Sequence, residues 1–131
     1  MMKYLFDASA IFAALKPESI AKLSGNYTIE LAKYEVGNII WKEKTVHKRM
    51  NGKEQEAMLD LAASALKTMQ ILKLDGHENY VLRLASEIHD TFYDASYAHF
   101  AEAMSVPLVT MDEKLSKKIG GRIAVKAVSE I

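Results

Sequence analysis

Four acidic residues stand where predicted strands or loops give way to helices: Asp7, Glu35, Asp94 and Asp112. Their settings are Leu5-Phe6-Asp7-Ala8-Ser9, Tyr34-Glu35-Val36-Gly37-Asn38, Phe92-Tyr93-Asp94-Ala95-Ser96 and Val109-Thr110-Met111-Asp112, mostly small or apolar. A carboxylate among core residues costs free energy unless something neutralises it. Four of them gathered at one place repel and raise one another's pKa unless a cation intervenes. Magnesium or manganese meets that need, since hard divalent ions take oxygen ligands and this set offers only oxygens. One such ion, or two about 3.5–4 Å apart, orients a phosphodiester, activates a bound water and stabilises the leaving oxygen. No nucleophilic side chain is then required, which suits a chain without cysteine or a convincing Ser–His pair.

Polar neighbours are spaced for supporting roles. Ser9 lies two residues after Asp7 and Thr110 two before Asp112, so each hydroxyl is positioned to hydrogen-bond the adjacent carboxylate. Asn38 follows Glu35 by one helical turn and shares its side. A single Asp after a strand is usually a helix cap or a salt-bridge partner, and Asp112 with Glu113 complements a helix dipole. It is the joint pattern that points to a site. Lys114, Lys117 and Lys118, with Arg122, lie close in sequence to Asp112 and are candidate contacts to substrate phosphates. Lys42, Lys44, His47, Lys48, Arg49 and Lys53 read as a solvated helix end, Trp41 as packing, and Asp90 as a surface acid. His47, His77, His89 and His99 show no metal-ligand spacing, and His99 is expected to point away from Asp94.

The elements that must position these groups follow from periodicity. Apolar runs at 3–6, 27–29, 70–74, 108–110 and 123–128 read as strands. Between them lie helices at 9–15 (capped by Ser9), 31–46, a stripe from 54 to 69, one through Val81, Leu84, Ala85 and Ile88, then 93–104 and 112–119. Pro17 permits a further helical turn at 18–23, and Asn51-Gly52 breaks the helix before it. Strands alternating with helices predict an α/β sandwich, three layers deep, with a mainly parallel sheet. Sites in such sheets form outside the carboxyl ends of the strands, where all four acids are expected.

Composition bounds the rest. The 131 residues fit one domain, residues 1–131, and 17 basic against 17 acidic residues give no global charge to steer a partner. Absent a signal-peptide core or a stretch of ~20 apolar residues, the expectation is a soluble cytoplasmic protein.

Four quoted segments, Tyr4-Leu5-Phe6-Asp7-Ala8-Ser9, Tyr34-Glu35-Val36-Gly37-Asn38, Tyr93-Asp94-Ala95-Ser96-Tyr97 with Ala101-Glu102, and Leu108-Val109-Thr110-Met111-Asp112-Glu113-Lys114-Leu115, resemble the motifs of PIN-domain nucleases, in family order. Among these the likeness is to the VapC-type toxins of toxin–antitoxin pairs. The resemblance implies a five-stranded parallel sheet and a divalent-metal endoribonuclease. It maps Asp7, Glu35, Asp94 and Asp112 onto the catalytic, metal-site acids and Ser9, Asn38 and Thr110 onto supporting positions. It further implies an RNA substrate, a cognate antitoxin and a homodimer. Two other functions compete: an aspartyl-nucleophile phosphatase of haloacid dehalogenase type, and an inactive PIN-like module that binds RNA or protein. The first usually needs an acid where Ser9 stands; the second would be expected to lose a member of the acidic set.

Overall fold

The computed structural model describes residues 2–131. Its chain alternates strands and helices: β1 (Leu5–Phe6), α1 (Ala8–Ala13), β2 (Tyr27–Ile29), α2 (Leu31–Thr45), α3 (Gly52–Lys67), β3 (Gln70–Leu72), α4 (Glu78–Ile88), α5 (Phe92–Ala103), β4 (Leu108–Val109), α6 (Glu113–Ile119) and β5 (Val125–Lys126). Short 3₁₀ turns cover Ile20–Leu23 and Val128–Glu130. All five strands are parallel, in the order β3-β2-β1-β4-β5. Every strand therefore ends at the same edge of the sheet.

β1 lies in the middle, with Leu5 and Phe6 opposite Leu108 and Val109 of β4. These four side chains are fully buried, which explains why β1 and β4 read as continuous apolar runs rather than alternating ones. α5 packs against β1, β2 and β4, and α4 lies along α5. Ala95, Ala98 and Ala101 are buried on α5, and such small side chains let a helix sit close to a sheet. α1 packs on α2, and α2 on α3.

Local chemistry sets the boundaries. Asn51 caps α3 in a reciprocal capping box with Glu54, so the expected helix break at Asn51-Gly52 is also the next helix's start. α1 begins at Ala8 and its cap is Asp7, not Ser9: the Asp7 carboxylate accepts from the Ala10 amide at 2.9 Å. α4 closes with His89 in the left-handed region, φ 54°. That residue turns the chain so that Asp90 faces α5, and its carbonyl accepts from Lys118 Nζ at 2.7 Å. His77 and His99, far apart in sequence, meet at 2.9 Å between Nδ1 and Nε2, and His99 stacks on Tyr80. Burial and its His77 neighbour lower the pKa of His99.

Candidate active site

Asp7 leaves the end of β1 straight into the first turn of α1. Its carboxylate is 5% exposed and would be costly there without donors. Three groups supply them. Ser9 Oγ donates to Oδ1 at 2.6 Å, the Ala10 amide to the same oxygen, and Thr110 Oγ1 makes a short bond to Oδ2. Burial pushes the Asp7 pKa up while these donors pull it back down.

Thr110 follows β4 as Asp7 follows β1, so pairing of the two strands sets their side chains together. Its hydroxyl also accepts from the Asp112 amide at 3.0 Å. Thr110 was expected to hold Asp112; it reaches across to Asp7 instead and touches Asp112 only through the backbone. Asp112 caps α6, accepting from the amides of Lys114 and Leu115 through Oδ1.

The other wall is helical. Glu35 sits on the second turn of α2, and Tyr97 of α5 donates its hydroxyl to Glu35 Oε1 at 2.6 Å. Burial and the Glu35 carboxylate hold the Tyr97 hydroxyl far above its ordinary pKa, so it remains a donor. Asp94 lies on the first turn of α5, which Thr91 caps. Burial, then the Asp90 carboxyl beside it, then the charges of Asp112 and Glu35 lift Asp94 to about 7. Asp90 is tied to Lys118 at 3.8 Å.

These residues surround one pocket of about 220 Å³. Asp7, Ser9, Glu35, Asn38, Asp94 and Asp112 all line it, joined by Lys42 and Tyr97. Thr110 stands behind Asp7 rather than in the lining. Of the candidate substrate lysines, Lys118 is engaged with Asp90 and the His89 carbonyl, and Arg122 with Glu87 and Glu102. Lys114 and Lys117 lie exposed on α6, outside the pocket lining.

Three residues read otherwise from sequence. Lys42, taken as part of a solvated helix end, is the one cation among the described lining residues; it lies seven residues after Glu35, which two turns of helix bring round to the same side. Tyr97, three residues after Asp94, reads from sequence only as part of a motif, yet the i,i+3 rule places it beside the acid. Trp41, expected to pack, is 48% exposed.

Among the described residues, no group of three or more Asp, Glu, His or Cys side chains stands close enough to hold an ion as placed. The donor chemistry nonetheless fits a hard divalent cation. The set is all oxygen, its members repel, and one of them already holds its proton near neutrality.

A five-stranded parallel sheet flanked by helices, carrying acids at its carboxyl edge, has PIN-like topology. The crystal structure of PAE2754 from Pyrobaculum aerophilum matches it with a TM-score of 0.79 at 34% sequence identity, over 98% of this chain and 92% of that one. No protein-family model matches the chain. It is 36% identical over 129 residues to exonuclease VapC9 of P. aerophilum, covering 97% of this chain and 93% of that protein. It is also 29% identical over 128 residues to ribonuclease VapC3 of the same organism, covering 89% and 95%. The chain belongs to the VapC family of PIN-domain proteins.

Proposed function

We propose that this protein is a metal-dependent endoribonuclease, the toxin of a toxin–antitoxin pair, formed by residues 1–131 as one domain and acting in the cytoplasm. The observation that carries the reading is the convergence of Asp7, Glu35, Asp94 and Asp112, from four separate segments, on one pocket at the carboxyl edge of a parallel sheet. In this reading the four acids hold one or two magnesium or manganese ions. When bound, the metal supplies an activated water and stabilises the leaving oxygen of the phosphodiester.

The chain's own residues supply the rest. Ser9, Thr110 and the Ala10 amide fix the Asp7 rotamer, and Tyr97 fixes that of Glu35. Asn38, on the same side of α2 as Glu35, offers an amide to a phosphate oxygen or a water. Lys42 brings a positive charge to a pocket whose acids would otherwise repel an RNA backbone. Lys114 and Lys117 extend that charge along α6. An aspartyl-phosphate mechanism lacks its second acid, since Ser9 stands in that place and donates its hydroxyl to Asp7. The nuclease names carried by VapC3 and VapC9 favour a nuclease over an inactive module. An antitoxin partner and a homodimer follow from family membership alone and are part of the proposal. No helix among the described residues is long and apolar enough to cross a membrane.

One experiment tests the core of this. Purified protein is incubated with Mn²⁺ and either linear or circular single-stranded RNA, beside Asp7→Asn and Asp94→Asn variants. Cleavage of both RNAs is expected, with a loss of about a hundredfold or more in either variant. Equal cleavage by the variants would expose a contaminant. Cutting of the linear RNA alone would make the enzyme an exonuclease, the activity named for VapC9.

A further inference from the structure

We propose that a second cavity, beside the acidic pocket, binds one unpaired nucleobase of the substrate strand and prefers guanine; this rests on the nuclease reading above. The cavity, about 270 Å³, lies between the N-terminal turns of α2 and α5 and the ends of β2 and β3. That is a little below the usual size of a site for a drug-like ligand and suits a single base. Leu72, Leu74, Phe92 and Phe100 give it apolar walls, and Tyr93 lines it while remaining 59% exposed.

α5 is the wall shared by the two sites. Tyr93, Ser96 and Phe100, at i, i+3 and i+7, line the cavity, whereas Asp94 and Tyr97 line the acidic pocket. α2 repeats the arrangement, with Glu30 and Leu31 at its start on the cavity and Glu35 one turn further on the acids. Tyr93 and Asp94 are consecutive residues, about 3.8 Å apart along the chain. The two sites thus adjoin on one helix, so a strand that crosses Asp94 can turn a neighbouring base toward Tyr93 on the next face. A base paired in a duplex cannot turn into such a cavity; an unpaired one can be splayed out and stacked on an aromatic ring.

Stacking tolerates any base, so selection falls to the polar lining. Glu30, Asp75 and Ser96 provide it, and no cation is among the described lining residues. Both carboxylates are exposed, and neither joins an ion pair found among the described residues. The Ser96 hydroxyl donates to the Phe92 carbonyl at 2.8 Å, which leaves its oxygen free to accept. Apart from the Tyr93 hydroxyl, the polar side chains of the lining accept hydrogen bonds rather than donate them. Guanine answers best: its ring N1–H and its amino group lie side by side and fit the two oxygens of one carboxylate. Adenine and cytosine each offer one amino group on that edge, and uracil a single ring N–H.

The test uses the full chain labelled with ¹⁵N, free of divalent ions, titrated in turn with GMP, AMP, CMP and UMP. GMP is expected to shift the backbone amides of Leu74, Tyr93 and Ser96, at a concentration about tenfold or more below the other three nucleotides, in keeping with a bidentate base contact. Glu30→Gln, or Asp75→Asn, is expected to erase most of that preference while the spectrum stays folded. Equal response to all four nucleotides overturns the guanine assignment. So do unmoved cavity amides, or cavity amides that shift with protein concentration alone, which would mark an interface between copies. The two readings separate cleanly. Cleavage of unstructured RNA with Mn²⁺ in a protein whose cavity ignores nucleotides would sink the base site and leave the nuclease. GMP binding without cleavage would do the reverse.

Discussion

On the strand side of the acidic pocket, both oxygens of Asp7 are met by neutral donors; on the helix side, Asp94 is met by another carboxylate. The strand wall offsets part of the cost of burying Asp7 through hydroxyls and an amide aligned by β1 and β4, while burial still holds its pKa raised. On the helix wall only Glu35 is tied, by Tyr97, while Asp94 keeps its proton up to about pH 7. The difference teaches where a cation acts. In the proposed reading a bound cation would add little order to Asp7, whose rotamer is already fixed, and would offset the repulsion that Asp112 and Glu35 exert on Asp94.

The sharpest way to break this contrast is on the strand side. Thr110→Val keeps the shape of the side chain but strips the donor from Asp7 Oδ2 and the acceptor from the Asp112 amide. A loss of about 2 kcal/mol in unfolding free energy is expected, measured by urea denaturation. A change within error would mean that Asp7 does not depend on that hydroxyl. The matching change on the helix side is Tyr97→Phe, which keeps the buried ring and frees Glu35. Its expected cost is smaller, about 1 kcal/mol, with cleavage falling about tenfold, the rate equivalent of a hydrogen bond to a charged group. If it destabilises more than Thr110→Val, the two walls have been assigned the wrong way round.

The pH dependence tests what burial does to both walls. Asp94 has a folded pKa of about 7 against 3.8 for the ordinary group, and Asp7 is shifted the same way. Between those limits the folded protein holds a proton that the unfolded chain gives up, so stability falls as pH rises from about 4 through 7. Thermal melts in EDTA should therefore show a lower midpoint at pH 8 than at pH 5, with Mn²⁺ recovering the difference at pH 8. A flat profile would remove the upward shift assigned to the two buried carboxyls. The smallest effect is expected from Asp90→Asn. It takes one like charge from beside Asp94 but leaves burial, the larger cause, in place, so the EDTA profile should flatten only in part.

Much of this frame was legible in the sequence, because the signals were local. The strand at 27–29 and the helix starting at residue 31 fall where periodicity puts them; Asp7 and Asp112 sit just past strand ends, and Glu35 and Asp94 in the early turns of helices that open at the same edge. Strand ends were overextended: 70–74 and 123–128 shrink to Gln70–Leu72 and Val125–Lys126. Ile123 and Val128 pack on the core beyond the ladder, whereas Leu74 is exposed, and hydrophobicity alone does not mark where pairing stops. The reach of Thr110 to Asp7 and the meeting of His77 with His99 were not legible, since each depends on contacts between segments distant along the chain. Trp41 misled for another reason. A large apolar ring is usually buried, but here it lies on the face of α2 turned from the core, and only the helix's orientation reveals that.

The central place of β1 also governs when the pocket can come into being. Asp7 is made early, but its partner Thr110 lies 103 residues further along. β1 can pair with β2 on one side, while its other edge waits for β4. Contacts of such long separation form late in folding, and during synthesis they wait for the ribosome to release the downstream strand. A nascent chain therefore carries an incomplete acid set and a half-paired first strand, and the acidic pocket closes as one of the last events of its manufacture.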